Sequence, residues 1–316
     1  LILYTGQAKI PPMKKTGRLG AIFELLLAAA FWGFGFVATK WALEYLTAIE
    51  INFLRFAISC VVGLPFLFVM RSKYSVKKKL KLSFMPAVWL IGTLLFQTWG
   101  LLYTTPTKCG FITTLYVVFV PLVEAFMQKK RIRPTIWLCV AGALIGTGLI
   151  VDIGVSDINI GDVLTLVSAL AATGQIYWMG GVSPNINYAF VFNIYQCFWS
   201  MLILTPFVGW MTLGHKFSVL HEWPSNALWG IISLSLGSTV LAFYLQVRAQ
   251  KDLSPTVSSL MFLLESPFAL LFSLLLLGQA LGALESVGAI LIFVSALGAT
   301  WLEQRRHLPG KDIDFQ

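Results

Sequence analysis

Glu265 is the side chain in this chain best placed to do chemistry. It stands about eight residues into a long apolar run, two positions before Pro267. At 1.5 Å per helical residue that is roughly 12 Å of depth. An ionisable group so deep in an apolar segment needs a partner or a water-filled cavity. Two readings are open: it binds a cationic group of a bound molecule or carries a coupling proton, or it makes a structural hydrogen bond to a neighbouring helix. Pro267 lacks an N–H and frees a carbonyl one turn earlier, so the run can bend there.

Three more charged groups lie in apolar runs. Glu124 is close to Lys129 and Lys130, and an ion pair or snorkelling is expected. Arg55 is one turn inside its run, and Glu44 or Glu50 is the expected partner. Glu24 is near basic N-terminal residues and reads as interfacial. A neutral polar set accompanies them: Gln97, Thr113, Tyr116, Gln175, Tyr177, Tyr244 and Gln246. Thr113 and Tyr116 are three apart and share a helix face. Such groups can bind a ligand without the cost of a charge, or tie helices together for roughly 0.6 kcal/mol each. Trp32 stands just beyond mid-depth in its run, as a cavity wall or a packed aromatic. The binding candidates are therefore Trp32, the seven neutral residues and Glu265, with Glu265 also the coupling candidate.

Other chemistries find little support. Cys60, Cys109, Cys139 and Cys197 form no C-x-x-C pair, and His215, His221 and His307 lie in loops or the tail. No disulfide framework, metal site or cofactor is expected. The Walker A, H-E-x-x-H and G-x-S-x-G patterns are all missing, which leaves no sign of ATP drive or of hydrolytic catalysis. Short loops argue against a receptor or scaffold.

The elements that must hold these residues are membrane spans. Only 12% of the 316 residues are charged and 57% are hydrophobic. Soluble domains carry about 25% charged residues. Apolar runs recur at 20–39, 51–70, 85–103, 109–127, 135–151, 162–180, 189–210, 227–247, 257–277 and 285–302. Most approach the ~20 residues that a helix needs to cross the bilayer. They do not alternate as barrel strands do. The first is too long for a cleaved signal and reads as an uncleaved anchor. Met13 followed by Lys14 and Lys15 reads as a natural start, with residues 1–12 an appended segment.

Basic residues set the expected orientation. With the N-terminus cytoplasmic, 19 of the 23 Lys and Arg fall on inner segments and three, Lys40, Lys108 and Lys216, on outer ones. The net charge of +9 is thus a topology signal rather than a nucleic-acid footprint. The basic run Lys77–Lys79 belongs to the inner side, with weak contact to anionic lipid as an extra. Gly142 and Gly146 form a G-x-x-x-G that suits close helix contact, within the chain or in a homodimer.

The chain also repeats. Gly20–Gly33 corresponds to Gly161–Gly174 at a spacing of 141, as do Asn52 with Asn193 and Pro65 with Pro206. At a spacing of 149, Gln97, Pro106, Thr107 and Leu115 match Gln246, Pro255, Thr256 and Leu264. Five helices per copy put the second copy upside down, with a binding site near the midplane between the copies.

Three segments carry a family likeness: AAAFWGFGFVATKWAL (28–43) with FLRF (53–56), QTWGLLYTTPTKCGFITTLYVVFVPL (97–122), and YLQVRAQKDLSPTVSSLMFLLESP (244–267). They resemble EamA domains of the drug/metabolite transporter superfamily over nearly all of 20–302. The resemblance implies an all-α membrane protein of ten transmembrane helices in two inverted five-helix EamA repeats. It places a cytoplasmic N-terminal tail at 1–19, the first repeat at 20–151, an external linker at 152–161, the second repeat at 162–302 and a cytoplasmic tail at 303–316. It implies alternating access in the inner membrane, with export or exchange of metabolites, amino acids or drugs and a small-molecule solute and lipid bilayer as partners. Proton coupling stays open for Glu265 beside its other readings. The family's frequent Gly-Glu pair after the ninth helix is replaced here by Gly278-Gln279.

Overall fold

The structure is a computed structural model that describes residues 17–69, 76–104, 106–129, 132–150, 158–213, 224–277 and 282–305. Among these residues it is all helical. The helices are α1 (Arg18–Leu43), α2 (Ala48–Val69), α3 (Val76–Gly100), α4 (Pro106–Thr114), α5 (Tyr116–Gln128), α6 (Pro134–Ile150) and α7 (Ile160–Val182). They continue as α8 (Ala189–Leu213), α9 (Ser225–Ser233), a π-helical stretch Leu234–Leu241, α10 (Ala242–Ala249), α11 (Pro255–Phe262), α12 (Glu265–Leu277) and α13 (Ala283–Arg305).

These make ten apolar segments. Among the described residues, nine are long and apolar enough to cross a membrane, and Pro134–Ile150 is a shorter apolar helix. Their outer faces carry exposed apolar side chains such as Phe126, Leu138, Trp210, Leu275 and Ile290. Exposed apolar surface on that scale is stable against lipid, not water. The chain is a multi-pass membrane protein.

Local sequence sets several helix starts. Thr47 and Glu50 form a capping box at α2: the Glu50 carboxylate accepts from Thr47 N at 2.7 Å, and Glu50 N donates back to Thr47 Oγ1 at 3.3 Å. Asn159 and Asp162 do the same at α7. Asp162 also accepts from the Thr104 hydroxyl at 2.8 Å, which ties the end of α3 to the start of α7. Each such cap satisfies backbone donors that have no partner inside the helix.

The packing repeats with an offset of five segments. The third packs on the sixth (α3 on α7), and the eighth packs on the first (α9, the π-helix and α10 on α1). The fourth packs on the sixth (α4 and α5 on α7), and the ninth on the first (α12 on α1). The second meets the seventh (α2 on α8) and the fifth meets the tenth (α6 on α13). In the last contact the Gly142–Gly146 face is occupied by α13. A Cβ at Gly146 would meet the Gly288 carbonyl oxygen at 2.7 Å. The motif therefore serves helix contact within the chain.

The fourth and ninth segments break at matching positions. Leu115 N bonds Ile112 O at 3.2 Å, and Phe119 N bonds Leu115 O at 3.2 Å. At the spacing of 149, Leu264 N bonds Met261 O at 3.2 Å, and Phe268 N bonds Leu264 O at 3.2 Å. Pro267 contributes in the ninth segment, since it cannot donate to Leu263. Val118 holds the equivalent place in the fourth, so proline is not the sole cause.

Candidate functional site

A cavity of about 100 Å³ lies between the two halves of the chain. Its walls come from α1, α2, α3, α4, α5, α7, the π-helix, α10, α11 and α12. Seven of the nine candidate residues line it: Trp32, Gln97, Thr113, Tyr116, Gln175, Gln246 and Glu265. Tyr177 and Tyr244 lie outside it. Tyr244 instead packs with Met179 and Val247, and its hydroxyl accepts from Arg248 Nη1 at 2.8 Å.

The two helix breaks place the central groups. Tyr116 is the first residue of α5 and Glu265 the first of α12, so these are mates at the spacing of 149. Glu265 thus begins a helix rather than sitting within one, at the end where the helix dipole favours a carboxylate. Both side chains line the cavity, and the buried Tyr116 hydroxyl has no hydrogen-bond partner within 3.5 Å. Among the described residues no basic side chain pairs with Glu265.

Trp32 forms one wall. Its Nε1 donates to Ser238 O at 3.1 Å, and its ring meets Phe262 edge-on at 5.0 Å and Phe243 at 5.2 Å. The acceptor comes from the π-helix Leu234–Leu241. Asn193 satisfies two neighbouring carbonyls, donating to Thr239 O at 3.0 Å and Val240 O at 2.9 Å. On the opposite wall Gln97 Nε2 reaches Thr113 Oγ1 at 3.4 Å.

One end of the cavity is closed by a chain of amides. Gln246 Nε2 donates to Gln175 Oε1 at 2.9 Å and to Gln250 Oε1 at 3.0 Å, and Gln250 Nε2 donates to Ile176 O at 3.1 Å. Beyond it Glu24 pairs with Arg248 at 2.7 Å. Glu24 is 7% exposed, a buried member of this ion pair. Glu124 accepts from Thr256 Oγ1 at 2.6 Å and Thr256 N at 3.2 Å, which joins α5 to the start of α11; Lys130, one of its two expected partners, lies outside the described residues. The nearby Lys251 ammonium is pushed below its ordinary value by burial and then by the Arg248 charge.

Arg55 was not among the binding candidates, yet it lines the cavity. It pairs with neither Glu44 nor Glu50. Its Nε donates to Thr239 Oγ1 at 2.8 Å across the halves, while Glu50 caps its own helix. Gly278-Gln279, the tails and the loops at 70–75, 151–157 and 214–223 lie outside the described residues.

Ten apolar segments with paired breaks, enclosing a polar cavity between two halves, define a solute-transporter architecture. The EamA-like transporter family matches residues 19–152 and again 159–301. The chain belongs to that family. A protein named only as an uncharacterized transporter in Archaeoglobus fulgidus is 31% identical over 281 residues, covering 89% of this chain and 85% of the relative. The uncharacterized transporter YoaV of Bacillus subtilis is 22% identical over 294 residues, covering 90% of this chain and 98% of its own. A solved crystal structure shares the fold with a TM-score of 0.71 at 17% identity, over 92% of this chain and all of the other.

Proposed function

We propose that the chain is a secondary transporter that moves a small metabolite, amino acid or drug-like solute through the cavity by alternating access. The observation that carries this is a polar cavity, in which no basic side chain among the described residues pairs with Glu265, walled by both halves of a doubled fold. Packing that maps onto itself under a five-segment shift, and breaks that match at a spacing of 149, support two inverted five-helix repeats. Such repeats can exchange conformations about a central site.

With both termini cytoplasmic, as the basic-residue bias assigns, the amide chain and the Glu24–Arg248 pair lie toward the inner side. Thr39, Thr98 and Leu101, at the other end of the cavity, lie toward the outer side. This conformation is then sealed inside. Export across an inner membrane is the direction the family likeness implies, and a coupling proton on Glu265 is the simplest energy source. The test is solute flux in proteoliposomes under an imposed pH gradient. Flux that follows the gradient and is lost in Glu265→Gln supports the reading. Gradient-driven flux unchanged in that variant removes Glu265 from coupling, and no flux of any solute removes the transporter reading.

A further inference from the structure

Arg55 lies roughly 10 Å into its segment, seven residues past the start of α2, and is 4% exposed. Only Nε is engaged. Its acceptor is fixed, since the Thr239 hydroxyl itself donates to Leu234 O at 2.7 Å. Neither terminal nitrogen of the guanidinium has a hydrogen-bond partner among the described residues, and no carboxylate pairs with the group. These nitrogens are not sealed in protein either, because Arg55 lines the cavity and neither is a buried orphan. Gln196, its mate at the spacing of 141, is fully buried and both its amide atoms lack partners.

A buried guanidinium stays charged and is costly to leave without a counter-ion. Its free edge presents four N–H groups in a planar fork, the shape that binds a carboxylate through two parallel hydrogen bonds. Glu265 enters the same cavity from the other half, roughly 15 Å from the start of its own segment. Trp32, Leu94, Phe243 and Phe262 supply apolar wall in the same cavity.

We propose that Arg55 is the carboxylate-binding end of the solute site, and that the solute is a small carboxylate whose other end bears an ammonium or similar donor for Glu265. This rests on the transport reading for its physiological meaning, but the binding claim stands or falls separately. The site selects for opposite charges at the two ends of one molecule. A solute with only one of them leaves a buried charge unanswered.

The test uses the full chain in nanodiscs and reads thermal stabilisation, since a ligand of the folded state raises the melting temperature. The probes are α-, β- and γ-amino acids, each paired with the carboxylate lacking its ammonium and the amine lacking its carboxylate, with sodium chloride as ionic control. At least one zwitterion is expected to stabilise more than both of its fragments. Arg55→Gln is expected to weaken zwitterion and carboxylate binding by about 10- to 100-fold and to spare the amines. Arg55→Lys keeps the charge without the fork and is expected to restore part of the loss. If Arg55→Gln fails to fold, Thr239→Val frees the Nε anchor and is expected to weaken carboxylates alone. Carboxylate binding unchanged in these variants, stabilisation by amines alone or by chloride alone, or no stabilisation by any probe overturns the proposal. Arg55-dependent binding without flux in proteoliposomes sinks the transport reading and leaves the site. Flux of another solute that ignores Arg55→Gln does the reverse.

Discussion

Gly33 offers the sharpest structural test of how the ninth segment is held. It sits where α1 crosses α12, and a Cβ there would lie 2.7 Å from Phe268 Cβ, 2.8 Å from Ala269 N and 2.8 Å from Glu265 O. Ordinary Cβ contacts begin near 3.4 Å. Gly33→Ala must therefore part the two helices by about 0.7 Å, the difference between 3.4 and 2.7 Å. Two of the three obstacles are backbone, so no rotamer change relieves them. Overpacking of this kind costs about 1–3 kcal/mol. Gly174, its mate at the spacing of 141, would meet the Trp89 ring at 2.6 Å. A ring can tilt, so Gly174→Ala should cost less. Gly181 has open space, and Gly181→Ala should be neutral or slightly stabilising. Melting temperatures of the three variants in nanodiscs check the order. Because the Glu265 carbonyl is one of the obstacles, solute binding should fall in Gly33→Ala and hold in Gly181→Ala. Equal stability of Gly33→Ala and the parent chain would refute the close crossing.

Further outcomes follow from single contacts. Trp32→Phe removes the hydrogen bond to Ser238 O and should cost about 1 kcal/mol while keeping the cavity wall, read by thermal unfolding and solute binding. Thr256→Val deletes the 2.6 Å bond to Glu124 but keeps the backbone N–H, and should destabilise by about 1–2 kcal/mol; the same change in a Glu124→Gln background should cost less. Arg248→Met strands the Glu24 carboxylate, and about 1 kcal/mol is expected after allowing for the partial exposure of Arg248. Pro267→Ala should keep the break and lose little stability, because Val118 occupies the matching place in a break without proline. Amide exchange at residues 263–268 slowing to helix-interior rates would contradict that.

Most of the helix inventory was legible because hydrophobic runs report the bilayer directly. The repeat was legible too, through Asn52 with Asn193 and Leu115 with Leu264. The breaks in the fourth and ninth segments and the π-helix in the eighth were not, since a one-residue break or a widened turn leaves the length and mean hydropathy of an apolar run unchanged. Glu265 was read for depth, but its place at a helix start depended on a break that Pro267 only hinted at. Arg55 was misassigned because sequence offers the nearest acid, Glu50, as partner. In the structure Glu50 is taken by its own helix cap, and the acceptor for Arg55 comes from 184 residues away. Tyr177 and Tyr244 show the converse: type and depth qualified them, but the face each presents is fixed by helix rotation.

The central claim is that the cavity faces each side of the membrane in turn. Thr93, which lines it from α3, is the position to probe, as a single Thr93→Cys in a chain freed of its native cysteines. A membrane-impermeant thiol reagent is applied from one side and then the other, with and without solute. Labelling from both sides, slowed by solute on each, is the result this account expects. Labelling confined to one side under every condition contradicts it.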